Sequence, residues 1–209
     1  MTNDPAIGAL AQSLSNCGRQ PDGLWYAHYV LGGNYRLSEF HGAVLRVQLR
    51  RYPPQLARRQ ANAAYLEQAL SEMPGITTLR QDARVTSNAY HVLFLQYHPD
   101  AFEGVSKERF LAAMRAEGID AMHAGYSLPV YRQPVLLAKN FGLATPPLFS
   151  GVYPDVPDYS KAALPATDRA CTEEAVWVRQ SVLLGERQDM DDIVAAIGKI
   201  QRYSHELQE

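Results

Sequence analysis

The sequence predicts an α+β fold: a helical first third, followed by short strands separated by helices. Two observations carry this. Apolar residues recur at helical spacing through residues 38–73, and four short runs rich in β-branched and aromatic residues follow in the remainder. The first two of those runs look like an antiparallel pair, which places the chain among small α+β domains rather than in a doubly wound parallel class.

Taken in order, residues 5–15 read as a short helix, with Gly18 a stop just beyond it. Residues 19–33 read as loop, broken by Pro21, Asp22-Gly23 and Gly32-Gly33. Ser38 is a good N-cap, Glu39 suits a helix N-terminus, and Leu37, Phe40, Val44 and Val47 recur on one side, so a helix over 38–51 is expected to bury one face. Pro53-Pro54 should interrupt or kink it, because proline lacks an amide donor and clashes with the preceding turn. The pattern resumes through Leu56, Ala63, Leu66 and Leu70 and stops at Pro74-Gly75, giving two helices in tandem or one kinked helix over 38–73.

Strands are expected at 76–79, 90–97, 119–122 and 176–183. A helix capped by Ser106 should end at Glu117-Gly118. Pro129, Pro134, Pro146, Pro147, Pro154, Pro157 and Pro165 indicate long connections, with room for one short helix near 134–140. An amphipathic helix over 189–207 closes the chain, with Asp189, Asp191 and Asp192 favourably placed at its start.

At 209 residues the chain can form one sizeable domain, or one domain and an appendage. A hydrophobic content of 46% and a charged content of 20% are ordinary for a soluble globular protein. The net charge of −2 argues against a nucleic-acid or anionic-membrane partner, and Arg46, Arg50, Arg51, Arg58 and Arg59 read as a solvated helix face. No apolar run approaches a membrane span, and the first residues lack the features of a signal peptide. Cys17 and Cys171 form neither a disulfide framework nor a redox spacing. The six histidines show no metal-ligand spacing, so no metal site is expected. A cytoplasmic, reduced protein is the natural reading.

The most informative stretch is Gly32-Gly33-Asn34-Tyr35-Arg36-Leu37-Ser38-Glu39. The glycines permit backbone geometry that other residues resist. Asn34 and Arg36 stand just outside a helix start, where an amide and a guanidinium could hold an anion. The residues alone favour the plainer alternative, in which Asn34 caps the turn and Arg36 meets a surface carboxylate.

The stretch Trp25-Tyr26-Ala27-His28 through Val30–Glu39 to Gln48-Leu49 resembles the central signature of the DegT/DnrJ/EryC1/StrS aminotransferases, pyridoxal-phosphate enzymes that aminate keto-sugars and keto-cyclitols. The resemblance continues through Arg59, Ala63, Tyr65, Tyr90-His91, Glu117-Gly118-Ile119, Gly125-Tyr126, Pro129, Tyr131-Arg132-Gln133-Pro134 and Leu183-Leu184-Gly185. It implies the small C-terminal domain of a fold-type I aminotransferase. Residues 1–37 would close the large cofactor-binding domain, 38–73 would form bridging helices, and 74–209 would be the small α+β domain.

The resemblance also implies parts that are missing from this sequence. Such enzymes carry a Schiff-base lysine among small residues and glycines, an aspartate for the pyridinium nitrogen and an aromatic that stacks on the ring. Lys107, Lys139, Lys161 and Lys199 all lack that setting, so no catalytic residue is assigned and whether this chain is itself an enzyme stays open. Carried over, Asn34 and Arg36 would contact the phosphate of pyridoxal 5'-phosphate across a homodimer, and Tyr126 and Tyr131 would lie near the substrate. Many members have histidine where this chain has Tyr131, and with Trp25-Tyr26 and His28 upstream this points toward keto-cyclitols or antibiotic precursors. The expected function is therefore the C-terminal part of a keto-sugar or keto-cyclitol aminotransferase with glutamate or glutamine as donor, inactive alone. The alternative is a non-catalytic dimerisation or substrate-contact module that complements a separate large domain. Either way a homo-oligomer or a large-domain partner is expected, because helices 5–15 and 38–51 would pack on that domain and here leave apolar faces exposed.

Overall fold

The computed structural model describes residues 2–36, 38–138 and 158–208. Leu37 of the expected helical face, Lys139, and Pro146, Pro147, Pro154 and Pro157 of the long connection lie outside them. The chain forms two compact units, one of residues 1–43 with 128–168 and one of 44–127 with 169–209. Residues 128–138 and 158–168 thus group with the amino-terminal residues.

In the first unit, helix α1 spans Pro5–Ser15. The Asp4 carboxylate accepts from the Ala6 N–H at 2.8 Å, and Pro5 opens the helix where its missing donor costs nothing. The helix ends as the sequence indicated: Cys17 has φ 60° and Gly18 has φ 80°. A Cβ on Gly18 would lie 1.8 Å from the Val30 carbonyl oxygen, so only glycine fits. The chain then returns alongside this turn. The Gly33 N–H donates to Leu14 O at 2.9 Å, Cys17 N–H to Gly33 O at 2.9 Å and Tyr35 N–H to Ser15 O at 3.2 Å. A Cβ on Gly32 would lie 2.5 Å from the Gly18 nitrogen, so this glycine answers a close backbone approach rather than a positive φ. The short helix expected near 134–140 is α4, Pro134–Leu137.

Helix α2 runs unbroken from Glu39 to Ser71 through Pro53 and Pro54. The two prolines therefore do not divide it. Their missing donors leave the carbonyls of Leu49 and Arg50 without helical partners, and both residues are exposed, so water can serve them. The face expected to be buried is open instead: Phe40 is 86% exposed, with Val44 and Val47 also exposed. No described residue covers it, the outcome expected of a helix whose apolar face packs on another domain or chain.

The second unit holds the sheet and the core. Strands β1 (Ile76–Thr78), β2 (Val92–Tyr97), β3 (Met122–His123) and β4 (Ala175–Arg179) form one antiparallel sheet in the order β1-β2-β4-β3. Phe94 pairs with Trp177, and Met122 with Val178. Leu93, Leu95 and Tyr97 alternate into the core, as period two requires. The third strand begins at Met122 rather than Ile119, and the fourth ends at Arg179 before a short 3-10 turn at Val182–Leu184. Between the long connection and β4 lies α5, Pro165–Arg169. Helices α3 (Lys107–Ala116) and α6 (Arg187–Arg202) supply Phe110, Met114, Ile193 and Ile197 to the core, and the carboxy-terminal half of α2 supplies Leu66 and Leu70. The Tyr97 ring stacks on Phe110 at 4.6 Å, and its hydroxyl donates to Val105 O at 2.8 Å, which satisfies a polar atom inside the core. No helix of the described residues is long and apolar enough to cross a membrane.

Candidate functional site

The tip of the first unit is built on the antiparallel bridge between Asn16 and Asn34. Arg36 Nε donates to Asn34 Oδ1 at 2.9 Å, and Arg36 Nη1 donates to Asn16 Oδ1. Asn34 thus accepts through its oxygen and leaves its amide N–H groups to donate outward. The surface carboxylate that Arg36 could have met is not there: among the described residues it forms no ion pair. The two residues that the sequence singled out are held together, with the Asn34 side-chain oxygen accepting from the Arg36 guanidinium.

The structure adds Arg19, which the sequence did not single out, and gives the contacts of Trp25, Tyr26 and His28, which it did. Arg19 Nη2 donates to the same Asn16 Oδ1 at 2.7 Å, and Arg19 lies 5.0 Å over the Tyr26 ring. Trp25 and Tyr26 pack at 4.6 Å, and Tyr26 takes a φ of 57°, a second left-handed residue near Cys17. His28 Nδ1 lies 2.6 Å from the Cys17 carbonyl oxygen. A carbonyl can only accept, so Nδ1 is the donor in this contact. The segment is tied down from the other side by His28 N–H on Gln133 Oε1 at 3.0 Å, Gln133 Nε2 on Tyr26 O at 3.3 Å and Val135 N–H on His28 O at 2.8 Å.

Tyr131 belongs to this unit and is 7% exposed. Its hydroxyl donates to Asp168 Oδ1 at 2.5 Å and accepts from Arg132 Nε at 3.0 Å, while Arg132 Nη2 reaches Asp168 Oδ2 at 2.8 Å. Tyr126 stands in the second unit, exposed, with its ring edge-to-face on Trp177 at 4.7 Å. Gly125 beside it has φ 68°, and a Cβ there would touch the Trp177 ring at 3.0 Å. The structure therefore places Asn34 and Arg36 in contact with each other, and Tyr126 and Tyr131 in separate units.

The model of the DegT/DnrJ/EryC1/StrS aminotransferase family matches residues 1–148. The chain belongs to that family. Its members are pyridoxal-phosphate-dependent aminotransferases, and the resemblance seen in the sequence is thereby established. A Streptomyces kanamyceticus protein with the provisional name L-glutamine:3-amino-2,3-dideoxy-scyllo-inosose aminotransferase is 32% identical over 99% of this chain and 49% of its own length. The L-glutamine:2-deoxy-scyllo-inosose aminotransferase of Micromonospora echinospora is 31% identical over 99% and 49%. Among solved structures, 3-amino-5-hydroxybenzoic acid synthase aligns with a TM-score of 0.59 at 22% identity, over 95% of this chain and 47% of that one. The Helicobacter pylori aminotransferase PseC gives 0.56 at 17%, over 97% and 48%. These likenesses fix the fold as the small-domain half of a fold-type I aminotransferase. The chain spans about half the length of the curated relatives it matches.

The residues present fit the family's cofactor in one respect and not in another. An outward amide beside a guanidinium that meets no carboxylate suits a phosphate. Among the described residues, the lysines do not suit a covalent anchor. Lys107 is buried, with Nζ donating to Cys171 O at 2.7 Å and Ala124 O at 3.3 Å, and burial lowers its proton affinity. Lys199 is paired with Glu117 at 2.7 Å, and Lys161 with Asp158 at 3.3 Å. Among the described residues no group of histidine, cysteine, aspartate and glutamate is arranged to hold a metal.

Proposed function

We propose that this chain is the carboxy-terminal part of an aminotransferase acting on a keto-cyclitol or keto-sugar, with glutamine or glutamate as amino donor. One observation carries the reading: the Asn34–Arg36 pair is rigidly bridged and has no carboxylate partner among the described residues. The names of the scyllo-inosose aminotransferases support a cyclitol substrate and a glutamine donor. Pyridoxal phosphate, when bound, supplies the electron sink of amino transfer.

This chain's own residues hold and orient. The Asn34 amide would donate to the cofactor phosphate of a neighbouring subunit, and Arg36 would add a charge-assisted bond. Tyr126 offers substrate an exposed ring backed by Trp177. Tyr131, with its hydroxyl engaged by Asp168 and Arg132, orders the loop that follows Pro129 rather than reaching outward. The covalent anchor comes from outside these residues, so the isolated chain does not transaminate. The open face of α2 favours a companion reading, in which the chain docks on a separate large domain or on a second copy of itself.

The test is complementation. The chain is co-purified with the amino-terminal half of the Micromonospora echinospora relative, and glutamine-dependent amination of 2-deoxy-scyllo-inosose is measured. Amination that requires both halves and falls on Asn34→Ala supports the reading. Amination by this chain alone, or a mixture indifferent to Asn34→Ala, contradicts it.

A further inference from the structure

Two guanidiniums end on one neutral oxygen. Arg19 Nη2 and Arg36 Nη1 both donate to Asn16 Oδ1, and Arg19 Nε also reaches the Asn16 backbone carbonyl at 3.3 Å. Neither arginine has a carboxylate within ion-pair distance among the described residues. Like charges this close repel, and a single amide dipole offsets only part of that repulsion. Each guanidinium also keeps a terminal nitrogen that no described group accepts from: Nη1 of Arg19 and Nη2 of Arg36. The pair is held in place by more than chance packing. Asn16 sits at the end of α1, locked by the bridge to Asn34, and Tyr26 lies under the face of Arg19.

We propose that Arg19 is the second cationic arm of the anion site at this tip, that Asn16 positions both arms, and that the anion is a phosphate group. This rests on the reading of Asn34 and Arg36 as a phosphate contact and extends it to residues at the end of α1. A dianion satisfies both guanidiniums at once, which a monoanion or a single arginine does not. The phosphate could be a monoester such as the cofactor's, or the diphosphate of a nucleotide-linked substrate; the chemistry at the tip is shared.

The test follows the arginine Nε–H resonances of the intact chain during titration with inorganic phosphate, against sodium chloride at equal ionic strength. The Arg19 and Arg36 signals are expected to move together with one affinity. Arg19→Gln is expected to weaken phosphate binding by on the order of tenfold. Asn16→Asp is the discriminating variant. It keeps the acceptor and so keeps the fold, but its carboxylate pairs with both arms and cancels one of their two positive charges, so phosphate binding should show a loss of affinity on the order of tenfold or more while the melting temperature is retained. An Asn16 that is merely structural predicts no such loss. Pyridoxamine phosphate, which cannot react with lysines, and uridine diphosphate then separate the two sources: the tighter of the two names the class. Movement of Arg36 without Arg19, or unchanged phosphate affinity in Asn16→Asp, overturns the proposal and leaves the Asn34–Arg36 reading standing. If neither signal moves, both fail.

Discussion

Gly18 determines where the tip of the first unit can be. Its φ of 80° and the 1.8 Å that would separate an added Cβ from Val30 O leave no room for another residue. Gly18→Ala should therefore displace the returning segment, beyond the roughly 1 kcal/mol that the left-handed conformation alone costs a side chain. Hydrogen exchange checks this: the amides of Cys17 and Gly33, which close the turn, should lose protection while those of β2 and β4 keep theirs. Asn34 and Arg36 were legible as a pair because they are two positions apart and flank a helix start. Asn16 and Arg19 were not, because nothing in local spacing says that the end of α1 returns to meet Asn34. Tyr131 shows the opposite limit. Its place in a motif suggested a substrate contact, and local spacing gave no sign that its hydroxyl bonds to its neighbour Arg132 and to Asp168, 37 positions away in the chain.

At the scale of elements, α2 is the most instructive. Its second half is fixed by polar anchors as well as by Leu66 and Leu70. The buried Asn62 amide donates to Leu183 O and Gly185 O, each at 3.0 Å, and Tyr65 donates to Asp191 at the start of α6. Asn62→Ala leaves two carbonyls without that donor and should lower unfolding stability by about 2–3 kcal/mol in a denaturant titration. Alternation made β2 readable in advance, and β-branched content made β4 readable. The limits of β3 were not, because two residues of pairing with β4 set them rather than any periodicity of their own. Of the two outcomes the double proline allowed, tandem helices or one helix, the single helix forms, because an exposed helix can pass through Pro53 and Pro54 where water serves the orphaned carbonyls.

At the scale of the whole molecule, the apolar residues that recur along the first half of α2 lie open, Phe40 and Leu49 most of all at 86% and 72%. Sedimentation velocity should show concentration-dependent association, reduced by the double change Phe40→Lys and Leu49→Lys. A clean monomer across the accessible range would count against that. A carboxyl set in the second unit gives a pH test. Burial raises the pKa of Glu67 above its ordinary 4.5, although the Tyr90 hydroxyl bonded to it acts the other way. The folded state therefore binds more protons than the unfolded chain above pH 4.5, and stability falls as pH rises through the folded value. Glu67→Gln, which keeps an acceptor for Tyr90, should raise the melting temperature at pH 7 and leave it nearly unchanged at pH 4. Equal effects at both values would point to packing instead.

On the proposed function, this chain lends a phosphate-contacting arm and, among the described residues, carries no lysine fitted to anchor the cofactor. The most direct measurement is to incubate the purified chain with pyridoxal phosphate, reduce with borohydride, and determine the intact mass with peptide mapping. At most scattered, substoichiometric labelling of exposed lysines is expected. A stoichiometric pyridoxyl increment on a single lysine would contradict it.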